Sequence, residues 1–141
     1  IMDTGSLLGI RESRRIIGDY VFTEDDVESL RRFEDAIVSN HGGIEIHSTN
    51  GNGTDIRELG PKAFYQVPYR SIIAKGFLNL LMAGRCFSAN HAGLSAARNI
   101  AYCIALGEAA GAAAAYLCKK NKTDVRQIDI AWLQHVMHKA L

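Results

Sequence analysis

The 141-residue chain has no excess of charge of either sign, no cysteine framework and no membrane-length apolar run free of charge. Sixteen Lys and Arg against fifteen Asp and Glu leave a net charge of +1, so the overall field gives no reason to expect nucleic acid or an anionic membrane as partner. Three cysteines, an odd number at no metal-like spacing, imply neither a disulfide scaffold nor a zinc site. His135 and His138 stand three apart, but zinc wants three or four ligands and no third is evident, so no metal is expected. The run Ile100–Cys118 approaches membrane-spanning length. Glu108 interrupts it among weakly apolar Ala and Gly, and a buried helix of a soluble domain is expected instead.

What is present suits a globular chain with one moderate core: 48% of residues are apolar and 22% charged. The stretch Asn79–Leu117 organises the rest. Asn79–Cys86 reads as a buried strand meeting a sharp turn at Gly84, where a side chain would obstruct backbone approach to a ligand. A polar passage through His91 to Ser95 follows, and then a long Ala-rich helix begins near Arg98. Such a helix N-terminus presents unpaired N–H groups and partial positive charge, which favour anions. His91 precedes this helix, and since histidine as a residue type is suited to proton transfer near neutral pH, it either transfers protons or belongs to a loop that caps the helix. Gly107 and Gly111, four apart, predict a close-packed helix face. Cys86 and Cys103 lack a C-x-x-C spacing and read as ordinary buried thiols.

Upstream, Thr23 and Asp26 form an imperfect capping box, and Val27, Leu30, Phe33 and Ile37 recur at helical spacing. These predict a helix over about 24–40, ended by His41-Gly42-Gly43. Short strands are expected at Ile16-Ile17, Tyr20–Phe22, Ile44–His47, Phe64–Val67 and Tyr69–Ala74, with a flexible loop at Asn50–Gly53. The charged cluster 11–15 is either a salt-bridge network around Glu12 or part of a site. His47 faces solvent or a pocket. Arg70, in an apolar setting, needs a partner: a protein carboxylate, a phosphate or a substrate carboxylate. Asp129 caps a last helix with Ile130, Leu133, Val136, Met137 and Leu141 as its apolar stripe.

Several of these segments together resemble the C-terminal part of FAD-dependent oxidoreductases of the glutathione-reductase-like superfamily. The resemblance is carried by Asn79–Cys86 (NLLMAGRC), His91, Arg98, Cys103 and Ala105–Gly111 (ALGEAAG). Upstream it continues through Gly9–Ile16 (GIRESRRI), Gly18–Tyr20, Phe33–Ile37 (FEDAI), Ile44–His47 (IEIH) and Val67–Arg70 (VPYR) in the same order. Such proteins open with a strand and G-x-G-x-x-G, which grips the FAD pyrophosphate. No such spacing occurs here. Ser95 stands where a Gly is usual, and Asn99–Ala101 where a run usually contains Pro.

The resemblance therefore implies the C-terminal portion of a longer flavoprotein. Its fold is expected to be α+β as it stands, a partial α/β flavoprotein fold lacking the N-terminal Rossmann βαβ unit. Residues 1–76 would belong to a substrate-binding or cap domain, 77–118 to the last strand and long helix of the FAD domain, and 119–141 to a terminal amphipathic helix. Gly84, Arg85, Ala97, Arg98, Asn99 and Ile100 are implied to contact FAD. Arg11, His47 and Arg70 are implied to contact a small-molecule substrate, with His91 catalytic. The partner expected is the missing FAD-binding segment. A non-catalytic interaction or oligomerisation module is the alternative, since the Ala-rich and terminal helices offer a surface for a partner or a second copy.

Overall fold

The computed structural model describes residues 6, 9–48, 51 and 53–139. Among them the chain forms a mixed α+β fold: α1 (Glu24–Glu28), β1 (Ala36–Asn40), β2 (Ile44–His47), β3 (Thr54–Arg57), β4 (Tyr65–Pro68), α2 (His91–Ala97), α3 (Ile100–Lys119) and α4 (Ile130–Lys139). β1 and β4 pair antiparallel, with Val38 opposite Val67 and Asn40 opposite Tyr65. β2 and β3 form a separate hairpin, with His47 opposite Thr54. α2 packs on β2, while α3 and α4 pack on β1 and on each other.

The core follows from this layering. Phe22 stacks at tilted angles on Tyr65 and Phe87, with ring centroids 5.7 and 6.1 Å apart. Ile44, Ile72, Leu94, Leu106 and Leu133 are fully enclosed around them. Burying side chains of this size contributes about 1.5–3 kcal/mol each. Asn40 is equally buried, and its polarity is fully spent. Its Nδ2 donates to Tyr65 Oη at 2.5 Å and to the Ala96 carbonyl at 3.1 Å, and its Oδ1 accepts from Gly42 N at 2.7 Å. That one side chain ties β1 to β4 and to the end of α2.

The helix expected over about 24–40 is corrected to a five-residue helix followed by a strand. The capping box at Thr23 and Asp26 does form. Leu30 then takes a left-handed φ of 54°, and the amides of Leu30 and Arg31 close on the carbonyls of Val27 and Asp26. The next residues are claimed by β4 and the turn after it: Gln66 N donates to Arg31 O, Phe33 N to Gln66 Oε1, and Tyr69 N to Asp35 O. Ile37 and Val38 are both buried because β1 is covered on both faces, so the alternation that would mark a strand in the sequence is lost.

The buried strand expected at Asn79–Gly84 is also corrected. Leu78 and Leu80 are exposed, and Leu81 makes only an isolated bridge to Ile73. Gly84 opens a 3-10 turn with φ 79°, and an added Cβ would meet nothing within 4 Å. Its backbone conformation, which side chains rarely adopt, is what calls for glycine there. Strand structure at 16–22 reduces to bridges of Gly18 with Ala74 and of Phe22 with Ala89. Thr54–Arg57 is a strand, and Tyr69–Ser71 is a 3-10 turn. α3 begins at Ile100, after a break at Arg98-Asn99 that separates it from α2.

α3 departs most from expectation. Instead of a buried helix, the chain forms one in which only Leu106, Ala109, Ala113 and Leu117 are enclosed. Ile100 and Ile104 are 76% and 65% exposed, and a methyl group added at Gly107 or Gly111 would meet nothing within 4 Å. The residues at 100, 104, 107, 111, 114 and 118 fall on one helical face, so an apolar stripe runs the length of α3 uncovered. By length and composition alone, α3 could cross a membrane. In α4, Asp129 Oδ1 caps Trp132 N at 3.0 Å, and Leu133 and Met137 are buried. Leu141 lies outside the described residues.

Candidate anion and proton-transfer site

Residues 9–16 run beside the turn at Gly84–Cys86. Ile16 N donates to Cys86 O at 3.0 Å, and Arg85 Nη1 donates to Ile10 O at 3.3 Å. Further along, Phe22 N donates to Ser88 O and Asn90 N to Phe22 O, which fixes the start of α2 against the same segment. Asn90 caps α2 by accepting from Gly93 N at 2.8 Å. Because α2 packs on β2, the arrangement brings Arg11 and Glu12 to His47 at the end of β2 and His91 at the start of α2.

Two neighbouring cavities result. One, of about 510 Å³, is lined by Arg11, Arg85, Arg98, Asn99 and Ile100. The other, of about 440 Å³, is bordered by Arg11, Glu12, His47, His91 and Arg98. Arg11 and Arg98 belong to both. Among the described residues, none of Arg11, Arg85 and Arg98 is paired with a carboxylate. Arg98 Nη2 donates instead to the Glu45 backbone carbonyl at 3.1 Å. Burial, and then the charge of Arg11, hold the Arg98 pKa below the ordinary arginine value; Glu45 opposes this and Arg85 adds to it. No side chain caps the N-terminus of α3, so its first amides are left with the partial positive charge of a helix end.

The two histidines differ in what they have left to offer. Arg11 Nη1 lies 2.6 Å from His47 Nε2, and a guanidinium can only donate, so that nitrogen accepts from it, with the Glu45 carboxylate 3.5 Å from the same nitrogen. Its Nδ1 hydrogen goes to Thr54 Oγ1 at 3.1 Å. His91 Nδ1 lies 2.8 and 3.0 Å from the two Glu12 oxygens and donates to them, which leaves Nε2 as the unspent proton acceptor. Glu12 also pairs with Arg15, and its side chain is only 19% exposed.

A larger cavity of about 650 Å³ lies elsewhere and holds Arg70. Its cations are largely matched: Arg70 with Asp35 at 2.9 Å, Arg31 with Asp26 at 3.1 Å, and Arg126 with Asp19 at 2.7 Å. The structure therefore brings Arg11, His47, Arg85, His91, Arg98, Asn99 and Ile100 together and leaves Arg70 apart. Gly84 shapes the turn carrying Arg85, and Ala97 is fully buried at the end of α2; neither lines either of the two neighbouring cavities. His91 is the first residue of α2 and so lies within a helix, not in a loop before one. Burial pushes the Cys103 thiol pKa up, which suits an inert thiol. In the sequence Glu12 stands out only as the centre of a charged cluster. Its spacing of 79 residues from His91 gives no signal of their pairing.

The α+β chain thus gathers guanidinium groups without carboxylate partners beside a helix end that no side chain caps. The comparison with family models says which group of proteins this is: the chain belongs to the FAD dependent oxidoreductase family, whose model matches residues 1–137. Membership supports FAD-dependent oxidoreductase chemistry and FAD as the cofactor of the full-length protein. No curated protein and no solved structure matches the chain.

Proposed function

We propose that the chain is the C-terminal portion of a glutathione-reductase-like flavoprotein, passing hydride or electrons between a small-molecule substrate and bound FAD. The observation that carries this reading is the cavity of Arg11, Arg85, Arg98 and the α3 N-terminus, cationic and unpaired by carboxylates among the described residues. The donor set fits FAD, which carries a pyrophosphate and, when reduced, negative charge at its pyrimidine edge. Arg85 and Arg98, with the amides of Asn99 and Ile100, would hold the cofactor; Gly84 and Ala97 set the backbone around them. The bound flavin supplies the redox chemistry, and the protein supplies placement and electrostatics. Arg11 and His47 face the substrate, and His91 Nε2 takes or returns its proton. Arg70 serves the fold.

The uncovered stripe of α3 supports a missing dinucleotide-binding segment as partner. It starts at Ile100, which also lines the cofactor cavity, so one covering element would shield both. The same stripe favours a second reading, a non-catalytic interaction module whose partner is another protein or another copy. A visible absorption spectrum of the purified full-length gene product separates them. Flavin absorption that survives gel filtration is expected. A colourless protein that takes up no added FAD would overturn the flavin reading.

A further inference from the structure

We infer that the 440 Å³ chamber beside the cofactor cavity takes a small molecule bearing one carboxylate, held by Arg11 and Arg98, with Glu12 the positioning residue that fixes His91. This deepens the flavin reading and rests on it for the identity of the chamber as the substrate's side.

The charges decide the ligand class. The chamber's lining carries two guanidinium groups and one carboxylate; Arg15 pairs with that carboxylate, and a further carboxylate, Glu45, stands 3.5 Å from His47 Nε2, so positive charge remains in excess by one. Glu12 does not relieve it. Both of its oxygens are engaged by His91, and Arg15 shares one of them. His47 does not relieve it either, because its Nε2 accepts from Arg11 and so orients the guanidinium without bringing a negative charge. A guanidinium meets a carboxylate through two parallel N–H···O bonds, and a neutral ligand would leave that charge unmatched. Ile46, on the same wall, gives the carbon skeleton an apolar contact.

Glu12 acts through His91. A carboxylate that accepts from Nδ1 selects the tautomer with Nδ1 protonated and leaves Nε2 as the acceptor. Without it, nothing in the described contacts of His91 chooses between the two tautomers.

The test uses butyrate, its neutral analogue butyramide, and inorganic phosphate, titrated into the chain and followed by proton–nitrogen correlation NMR of the Arg and His side chains. Butyrate is expected to shift the Arg11 and Arg98 signals saturably, and butyramide to leave them unmoved. Arg11→Gln and Arg98→Gln should each weaken butyrate by about tenfold or more, as expected for loss of a charge-assisted pair. Glu12→Gln, which removes a negative charge from the lining, should bind butyrate at least as tightly as the parent while moving the His91 nitrogen shifts from the Nδ1-protonated pattern toward a mixture. Equal shifts with butyramide, tighter binding of phosphate at the same signals, or an unmoved His91 pattern in Glu12→Gln would overturn the inference. A flavin-free full-length protein that still binds butyrate would refute the flavin reading alone; a yellow protein with no butyrate response would refute this one alone.

Discussion

Replacing Gly93 with alanine sets two effects of known sign against each other. In a helix interior alanine is favoured over glycine by about 1 kcal/mol. At Gly93, however, a Cβ would lie 2.7 Å from Phe22 O and 3.1 Å from Asn90 Oδ1. The first is a backbone carbonyl that cannot swing away, because it accepts from Asn90 N at 2.8 Å. The second is the oxygen that caps α2 through Gly93 N. Overpacking of this kind costs about 1–3 kcal/mol, and a damaged cap about 1 kcal/mol more. The clash therefore wins, and Gly93→Ala should destabilise the chain by about 1–3 kcal/mol net. Gly107→Ala is the control: nothing lies within 4 Å of the added methyl, so only helix propensity acts, and stability should rise by about 0.5–1 kcal/mol. Urea unfolding followed by circular dichroism gives both values. A Gly93→Ala protein as stable as the parent would refute the close approach of α2 to Phe22, which also fixes His91 beside Glu12.

Asp26→Ala removes the acceptor for Tyr20 Oη at 2.7 Å, Thr23 N at 3.0 Å and Arg31 Nη1 at 3.1 Å. A lost cap and a stranded phenol together should cost about 2–4 kcal/mol in urea unfolding; a change under about 1 kcal/mol would contradict this. Burial and the Asp26 carboxylate push the Tyr20 pKa up to about 12, and burial pushes Tyr65 and Tyr69 higher still. Folded values above the unfolded one of about 10 mean that stability holds below that pH and falls above it, until the folded phenols ionise; urea midpoints flat to about pH 11.5 would disprove it. In the full-length flavoprotein, Arg98→Ala should weaken FAD retention and lower its midpoint potential by about 20–45 mV, from a lost interaction of about 1–2 kcal/mol with reduced flavin; unchanged FAD content and potential would refute the assignment. Gly107→Leu should be tolerated by the 141-residue chain, yet destabilise a full-length protein whose partner segment covers α3 by about 1–3 kcal/mol or more, read from thermal unfolding of both.

The sequence carries the local signals well and the long-range ones poorly. Thr23 and Asp26, Ile44–His47, Asp129 and the start of α3 within two residues of Arg98 are legible because caps, alternation and Ala content act over a few residues. β1 reads as helix because Val27, Leu30, Phe33 and Ile37 happen to fall at helical spacing although they belong to α1, the turn after it and β1, and only Gln66 and Tyr69, more than thirty residues on, show why the chain straightens. The environment of α3 misleads for a related reason. Small apolar residues look buried in a sequence, whereas burial depends on what stands opposite, and none of the described residues covers Ile100, Ile104 or Gly107. Within the site, residue types point to Arg11, Arg98 and His91, but the Glu12–His91 pair requires the crossing of residues 9–16 over the Gly84 turn.

Two unfavourable features meet at Asn99 and Ile100. Repulsion among Arg11, Arg85 and Arg98 is only partly offset by the Glu45 carboxylate, and like charges within one cavity near a protein surface repel by roughly 1–3 kcal/mol before salt screening. Beside them the apolar stripe of α3 is wet, at about 25 cal/mol for each Å² left uncovered. A chain optimised only for its own stability would place a carboxylate among the arginines and polar residues on the stripe. A dianionic cofactor and an apolar covering segment would remove both penalties at once, because the cavity and the stripe share Ile100. Charge relief and apolar burial would then be coupled, so that cofactor binding and segment docking each strengthen the other.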